Sequence, residues 1–204
     1  MPIIWCMGLL FSEFYESIRM DQELDKRYMK MALEEAKKAS RGGEVPVGAV
    51  LLKNDQVIAQ DHNRCMELND PTAHAEILVL RKGGKILKNY RLKDTVMYVT
   101  AEPCPMCVSA MLHARISRVV FGTLEPKFGA VKSKFNLLNH NELNHKIKVE
   151  WGILERECAE VLKRFFRKRR QYRKKGDVGL APLKKTKESG GSKASEHTSI
   201  KNYD

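Results

Sequence analysis

Apolar positions between residues 25 and 40 recur at Met29, Ala32, Leu33 and Ala36, the spacing of one helix face, and Gly42-Gly43 closes the run. This predicts a helix over 25–40 that packs on a sheet. Residues 45–52 are apolar and β-branched, Asn54-Asp55 marks a turn, and 57–59 returns, which predicts a hairpin. A second helix is expected over 73–89, capped by Thr72 and interrupted at Gly83-Gly84, with His74 in its first turn. Residues 95–100 read as a buried strand. Pro103 and Pro105 then suit the start of a helix over 106–115, because the first turn of a helix tolerates proline. Strands over 118–122 and 147–151 and a terminal helix over 153–170 complete the order, the last with Leu154, Cys158, Val161, Leu162 and Phe165 as its apolar stripe. Strands alternating with helices imply a layered α/β domain.

The chain has 204 residues, 43% of them hydrophobic, enough for one sizeable core with attached tails. We expect residues 1–20 to be an N-terminal extension, either a small packing element or a stretch upstream of Met20 as the working initiator. Residues 21–175 form the compact unit. Residues 176–204, rich in Lys, Ser, Gly and Thr, form a basic tail expected to be disordered. The apolar run at 2–11 is too short to span a bilayer and no Lys or Arg precedes it, so neither a membrane span nor a secretory signal is expected. Cys6, Cys65 and Cys158 show no paired spacing, which points to a reducing, cytoplasmic compartment.

Charge changes the picture at one end only. Of the net +12, residues 163–204 carry 14 basic and 4 acidic residues, leaving +2 for the rest. Nine of those cations fall between Lys163 and Lys175, interleaved with Phe165, Phe166 and Tyr172, a composition that attracts phosphate by counterion release. The plainer reading is a solvated basic helix end.

The chemistry lies in His74-Ala75-Glu76 and Pro103-Cys104-Pro105-Met106-Cys107. Imidazole and two thiolates suit Zn²⁺, and three protein ligands leave a tetrahedral position for water, whereas a structural zinc is closed by a fourth side chain. Cys104 and Cys107 share a helix face, and the positive end of the helix favours thiolate. Glu76, two residues from His74, faces elsewhere and is free to carry protons. A Cys-x-x-Cys alone also fits a redox dithiol. His113 is a conceivable fourth ligand but reads better as a packed or surface residue, since it would close the open position. His62, His140, His145 and His197 receive no metal role. Asn63, after the second hairpin strand, has an amide able to offer both donor and acceptor to a base edge, and by itself is a turn residue.

Taken in order over roughly residues 25–172, the residues 45–50, Asn63-Arg64, 70–76, 89–92, 98–100, Glu102-Pro103-Cys104, Met106-Cys107 and Phe165-Phe166-Arg167 before Arg169-Arg170 resemble the bacterial tRNA-specific adenosine deaminases. The resemblance implies a three-layer α/β/α cytidine-deaminase-like fold with a mixed five-stranded sheet, one Zn²⁺ per subunit and a cytoplasmic homodimer. It implies hydrolysis of the wobble adenosine of a tRNA anticodon, usually of an arginine tRNA, to inosine. Zinc ligation would fall to His74, Cys104 and Cys107, proton transfer to Glu76, and base contact to Asn63 and Ala75. Contacts to the anticodon stem-loop would come from Glu125 and Lys127, in a loop that departs from the family pattern, and from Phe166, Arg169 and Arg170. Two other readings remain open: a deaminase of a free nucleobase or nucleoside, with the same zinc site, and a silent RNA-binding subunit in which zinc only holds the fold.

Overall fold

The computed structural model describes residues 4–174 apart from Asn141, with side chains described between Gln22 and Tyr172. The expectations for the tail 176–204 and for side-chain packing of residues 1–20 lie outside the described residues. The elements are α1 (Ile4–Arg41), β1 (Gly48–Lys53), β2 (Gln56–His62), a short α2 (Cys65–Leu68), α3 (Ala75–Leu87), β3 (Thr95–Ala101), α4 (Pro105–Ala114), β4 (Arg118–Thr123), β5 (Lys148–Trp151) and α5 (Glu155–Lys174).

One sheet carries the molecule, in the order β2-β1-β3-β4-β5. Strands β2, β1 and β3 pair antiparallel, while β3, β4 and β5 pair parallel. The sheet is mixed because β1 and β2 form a hairpin, whereas each later strand is reached by a crossover. Alternate residues then serve two cores. Ala49 and Leu51, Met97 and Val99, and Val119 and Phe121 face α3 and α4, where they meet Ile77, Val79, Val108 and Met111. Val50 and Leu52, Tyr98 and Val120 face the opposite layer and meet Tyr28, Met29, Ala32 and Leu33 of α1 and Cys158 of α5. Strands covered on both faces read as continuous apolar runs, as β1 and β4 do. Three layers, α/β/α, are the result.

Several boundaries differ from the sequence expectations for physical reasons. The helix expected over 25–40 is the C-terminal part of a helix that begins at Ile4. Strand β1 begins at Gly48 and not at residue 45, because the Val47 N–H turns back to the Val45 carbonyl (2.8 Å) before the ladder starts. Gly48 is required there: a Cβ would overlap the Ala32 carbonyl and the Ala36 amide, so its absence lets β1 lie directly on α1. Helix α3 runs unbroken through Gly83-Gly84 and ends at Lys88 in the left-handed region (φ 50°). Gly83 is buried against β1, and a Cβ would come 2.6 Å from Leu51 Cδ2. The glycine marks a close helix–sheet approach and not a helix break. Terminal helix α5 begins at Glu155, after Gly152 and Leu154 have both taken positive φ.

On the α1 face, Arg118 at the start of β4 donates to both Asp25 (2.6 Å) and Glu150 (2.6 Å), while the Tyr98 hydroxyl donates to Asp25 (2.5 Å). This network ties α1 to the middle of the sheet. Among the described residues, no helix is long and apolar enough to cross a membrane.

Candidate active site

The N-termini of α3 and α4 meet on the same face of the sheet, and each brings metal-ligating side chains. His74 is the residue that precedes the first turn of α3 (φ −73°, ψ 151°), and Cys104 holds the same place at α4 (φ −77°, ψ 171°), with Pro105 in the first helical position. Both are extended residues entering a helix, so their side chains project from its positive end. His74 Nδ1 lies 3.7 Å from Cys104 Sγ and 3.5 Å from Cys107 Sγ, and the two sulfurs are 3.6 Å apart. A tetrahedral zinc with ordinary Zn–S and Zn–N bonds has S···S and S···N edges of ~3.8 and ~3.6 Å, so the triangle fits to within about 0.2 Å. It is far too open for a disulfide, whose sulfurs lie ~2.05 Å apart. The imidazole is as near to each thiol as the thiols are to one another, an arrangement that a redox dithiol does not need.

The electrostatics agree. Cys104 is drawn down to about 4, first by the hydrogen bond it shares with Cys107 and then, against the cost of burial, by the bond with His74. Cys107 is pushed up by the same sharing of one proton and by burial. The His74 imidazole is raised chiefly by its hydrogen bond to Cys104. A cation bound by the three would displace these protons as a set.

Glu76 lies in the first turn of α3 and is 3% exposed. Its Oε2 has no hydrogen-bond partner among the described residues. Burial raises its pKa, offset in part by its own backbone amide and by His74. A buried carboxylate with an uncommitted oxygen beside three ligands is not a structural ion pair. It is placed to take up and release a proton.

Asn63, just past β2, is buried, and its Oδ1 accepts from the Ala75 N–H at 2.8 Å. The cap of α3 therefore comes from a distant side chain. Thr72 is not that cap: its hydroxyl and amide both donate to Asp70 Oδ1 (2.7 Å each). With its oxygen and the Ala75 amide committed to each other, the acceptor expected of Asn63 is already engaged. His62, the last residue of β2, bonds Glu35 of α1 (2.9 Å), and His113 is exposed in the last turn of α4.

The expected RNA contacts are placed less closely. Glu125 is half-buried and its side chain turns onto its own loop, accepting the Lys127 N–H (3.1 Å), while Lys127 is exposed. Phe166, Arg169 and Arg170 are exposed on α5, which packs on the face opposite α3 and α4, so the structure does not gather them at the triad.

One residue at the site enters the sequence reading only within the Glu102-Pro103-Cys104 block, with no role of its own. Glu102, between β3 and Cys104, is 4% exposed and accepts hydrogen bonds from the backbone of Glu125 (3.0 Å), Val131 (3.1 Å), Lys132 (2.6 Å) and Ser133 (2.8 Å) and from the Ser133 hydroxyl. Burial acts against its charge, but these donors together hold its pKa below the usual carboxylate value. Gly129, where a Cβ would overlap the Glu102 carboxylate, marks the close approach of the loop to it.

Against this geometry, the family model described as MafB19-like deaminase matches residues 23–170. The chain belongs to that family. The deaminase is 44% identical over 160 residues to the tRNA-specific adenosine deaminase of Haemophilus influenzae, covering 78% of this chain and 92% of that one. It is 45% identical to the tRNA-specific adenosine deaminase of Bacillus subtilis, covering 77% of this chain and 98% of that one. Among solved structures it resembles a deaminase from a study of A-to-I editing by tRNA:A34 deaminases at the wobble position, with a TM-score of 0.65, 45% identity, and 67% of this chain and 99% of that one covered. A guanine deaminase from Nitrosomonas europaea, 22% identical with a TM-score of 0.61, covers 69% of this chain and 83% of that one and shares the fold.

Proposed function

We propose that this deaminase hydrolyses the wobble adenosine of a tRNA anticodon, that of an arginine tRNA in the first instance, to inosine and ammonia. The observation that carries the chemistry is the three-ligand triangle with the buried, half-unpartnered Glu76 beside it. His74, Cys104 and Cys107 would hold Zn²⁺, which when bound would supply activation of a water nucleophile. Glu76 accepts a proton from the attacking water as the C6–O bond forms and delivers it to the purine ring. It then takes the proton of the C6 hydroxyl and passes it to the departing amino group, so that the C6–N bond breaks with release of ammonia and the C6 carbonyl of inosine remains. The amide nitrogen of Asn63 faces the base, with its oxygen fixed by the Ala75 N–H.

The substrate assignment is supported by relatives named as tRNA-specific adenosine deaminases that match over most of their length. The exposed basic and aromatic residues of α5, including Phe166, Arg169 and Arg170, supply phosphate and stacking contacts. The catalytic unit is residues 21–175, working as a cytoplasmic homodimer with 176–204 as a basic tail. An anticodon loop presents its bases partly unstacked, so extruding one costs less than from a duplex.

The test is inosine formation in a transcribed arginine tRNA, with adenosine, guanine and cytosine assayed in parallel on zinc-loaded protein. Conversion confined to the tRNA, with KM rising steeply with salt, is expected. Turnover of a free base or nucleoside alone would assign the chain to the small-molecule class, and no turnover of any of them would leave only the silent RNA-binding reading.

A further inference from the structure

Glu102 spans two parts of the molecule that must be registered for an RNA to be read. On one side it is the second residue before Cys104, at the exit of the sheet's central strand. On the other, its two carboxylate oxygens accept five hydrogen bonds from residues 125–133, Oε2 from the Glu125 amide and the Ser133 hydroxyl, Oε1 from the amides of Val131, Lys132 and Ser133. A second tie runs alongside, from the Ala130 N–H to the Pro103 carbonyl (2.9 Å). Gly129 has no Cβ, and the carboxylate fits in that space. A buried carboxylate saturated by loop amides does not open readily to water, because each freed amide would cost on the order of 1–3 kcal/mol.

What the loop presents outward is suited to a nucleic acid. Lys127, Lys132 and Lys134 are exposed, Phe128 is 64% exposed, and its ring packs edge-on to Phe135 at 6.3 Å. One residue, Gly129, separates Phe128 from Ala130 of the Ala130–Pro103 tie, so the Phe128 Cα lies no more than about 15 Å from that of Cys104. Exposed rings among lysines are what single-stranded bases and their phosphates bind.

We propose that Glu102 is a positioning residue for the RNA substrate: its carboxylate fixes residues 125–133 against the Cys104 segment, and it governs substrate binding without entering the chemistry. This rests on the tRNA reading above. The test is Glu102→Gln, in which one oxygen becomes an NH₂ that repels the amides it formerly accepted, and Gly129→Ala, which makes the same lesion from the loop side. Assays use zinc-loaded protein and an anticodon stem-loop, well below each variant's Tm, with bound zinc measured in parallel. Both variants should raise KM by ten- to a hundred-fold, with kcat within about threefold and zinc content unchanged, and Ser133→Ala should give a smaller change of the same kind. Unchanged KM with only a lowered Tm would make Glu102 a stability residue, and loss of zinc or of kcat would make it a support for the metal ligands; either result overturns the proposal. Absence of inosine from the wild-type reaction would instead remove the tRNA reading, and the proposal with it.

Discussion

At the scale of the residue, the site is built from side chains whose partners decide their roles. His74 and the two cysteines are committed to each other, and among the described residues Glu76 Oε2 has no hydrogen-bond partner. Glu76→Gln keeps the volume and removes the proton carrier. We expect kcat to fall by ~10²–10⁴-fold, the range for general acid–base catalysis, with zinc content and tRNA affinity retained. Near-normal turnover in that variant would remove Glu76 from the mechanism. Asn63→Ala should cost ~1–2 kcal/mol of stability, because the Ala75 N–H loses its cap in a buried place, and a Tm lower by several degrees is the measurement. Asn63→Asp restores the acceptor but not the amide nitrogen, so it should recover much of the Tm and little of the activity. The grouping of His74 with Cys104 and Cys107, and the place of Glu76 in the first turn of α3, were legible in the sequence because ligand-type motifs and helix starts both leave short, local spacings. Asn63 as a cap and Glu102 as a loop anchor were not, because their partners lie 12 and 23 to 31 residues away.

At the scale of the element, the two adjacent glycines of α3 separate propensity from packing. Helix propensity alone predicts that either Gly→Ala change stabilises by ~1 kcal/mol. Gly84 has room for a methyl, its nearest prospective contact being the Asn89 carbonyl at 3.5 Å, so Gly84→Ala should raise Tm. Gly83→Ala should lower it, since Leu51 must move from a fully buried position in β1. Thermal melts of the two single variants with opposite signs are the expected result. The sequence expectation of a break at this pair failed for the same reason: glycine reports either a turn or a close approach, and only the three-dimensional neighbour distinguishes them. Element order and type were otherwise legible, since strands covered on both faces and helices with one apolar face leave different periodicities. The start of α1 at Ile4 was not, because the expected apolar stripe began only at residue 25.

At the scale of the whole molecule, the Asp25–Arg118–Glu150 network is the polar tie between α1 and the sheet. Arg118 beside it holds the Glu150 carboxyl below its ordinary value. A depressed carboxylate contributes stability that is fully present above the unfolded-state pKa of ~4.3 and is lost as pH falls through the lower folded value. Glu150→Gln should therefore lower Tm at neutral pH and converge on the wild type toward pH 3. Chelation should act more broadly, since His74 and Cys104 lie on opposite sides of β3 in the chain and a shared cation joins α3 to α4; Tm should fall and recover on adding Zn²⁺. The central strand has one more consequence. Residues 131–133 form no strand, yet their amides end on a carboxylate that emerges from β3. In hydrogen exchange they should be protected like the sheet interior, while the amide of the exposed Phe128 exchanges far sooner. The part of the loop tied to the Cys104 segment would then open only when the sheet does.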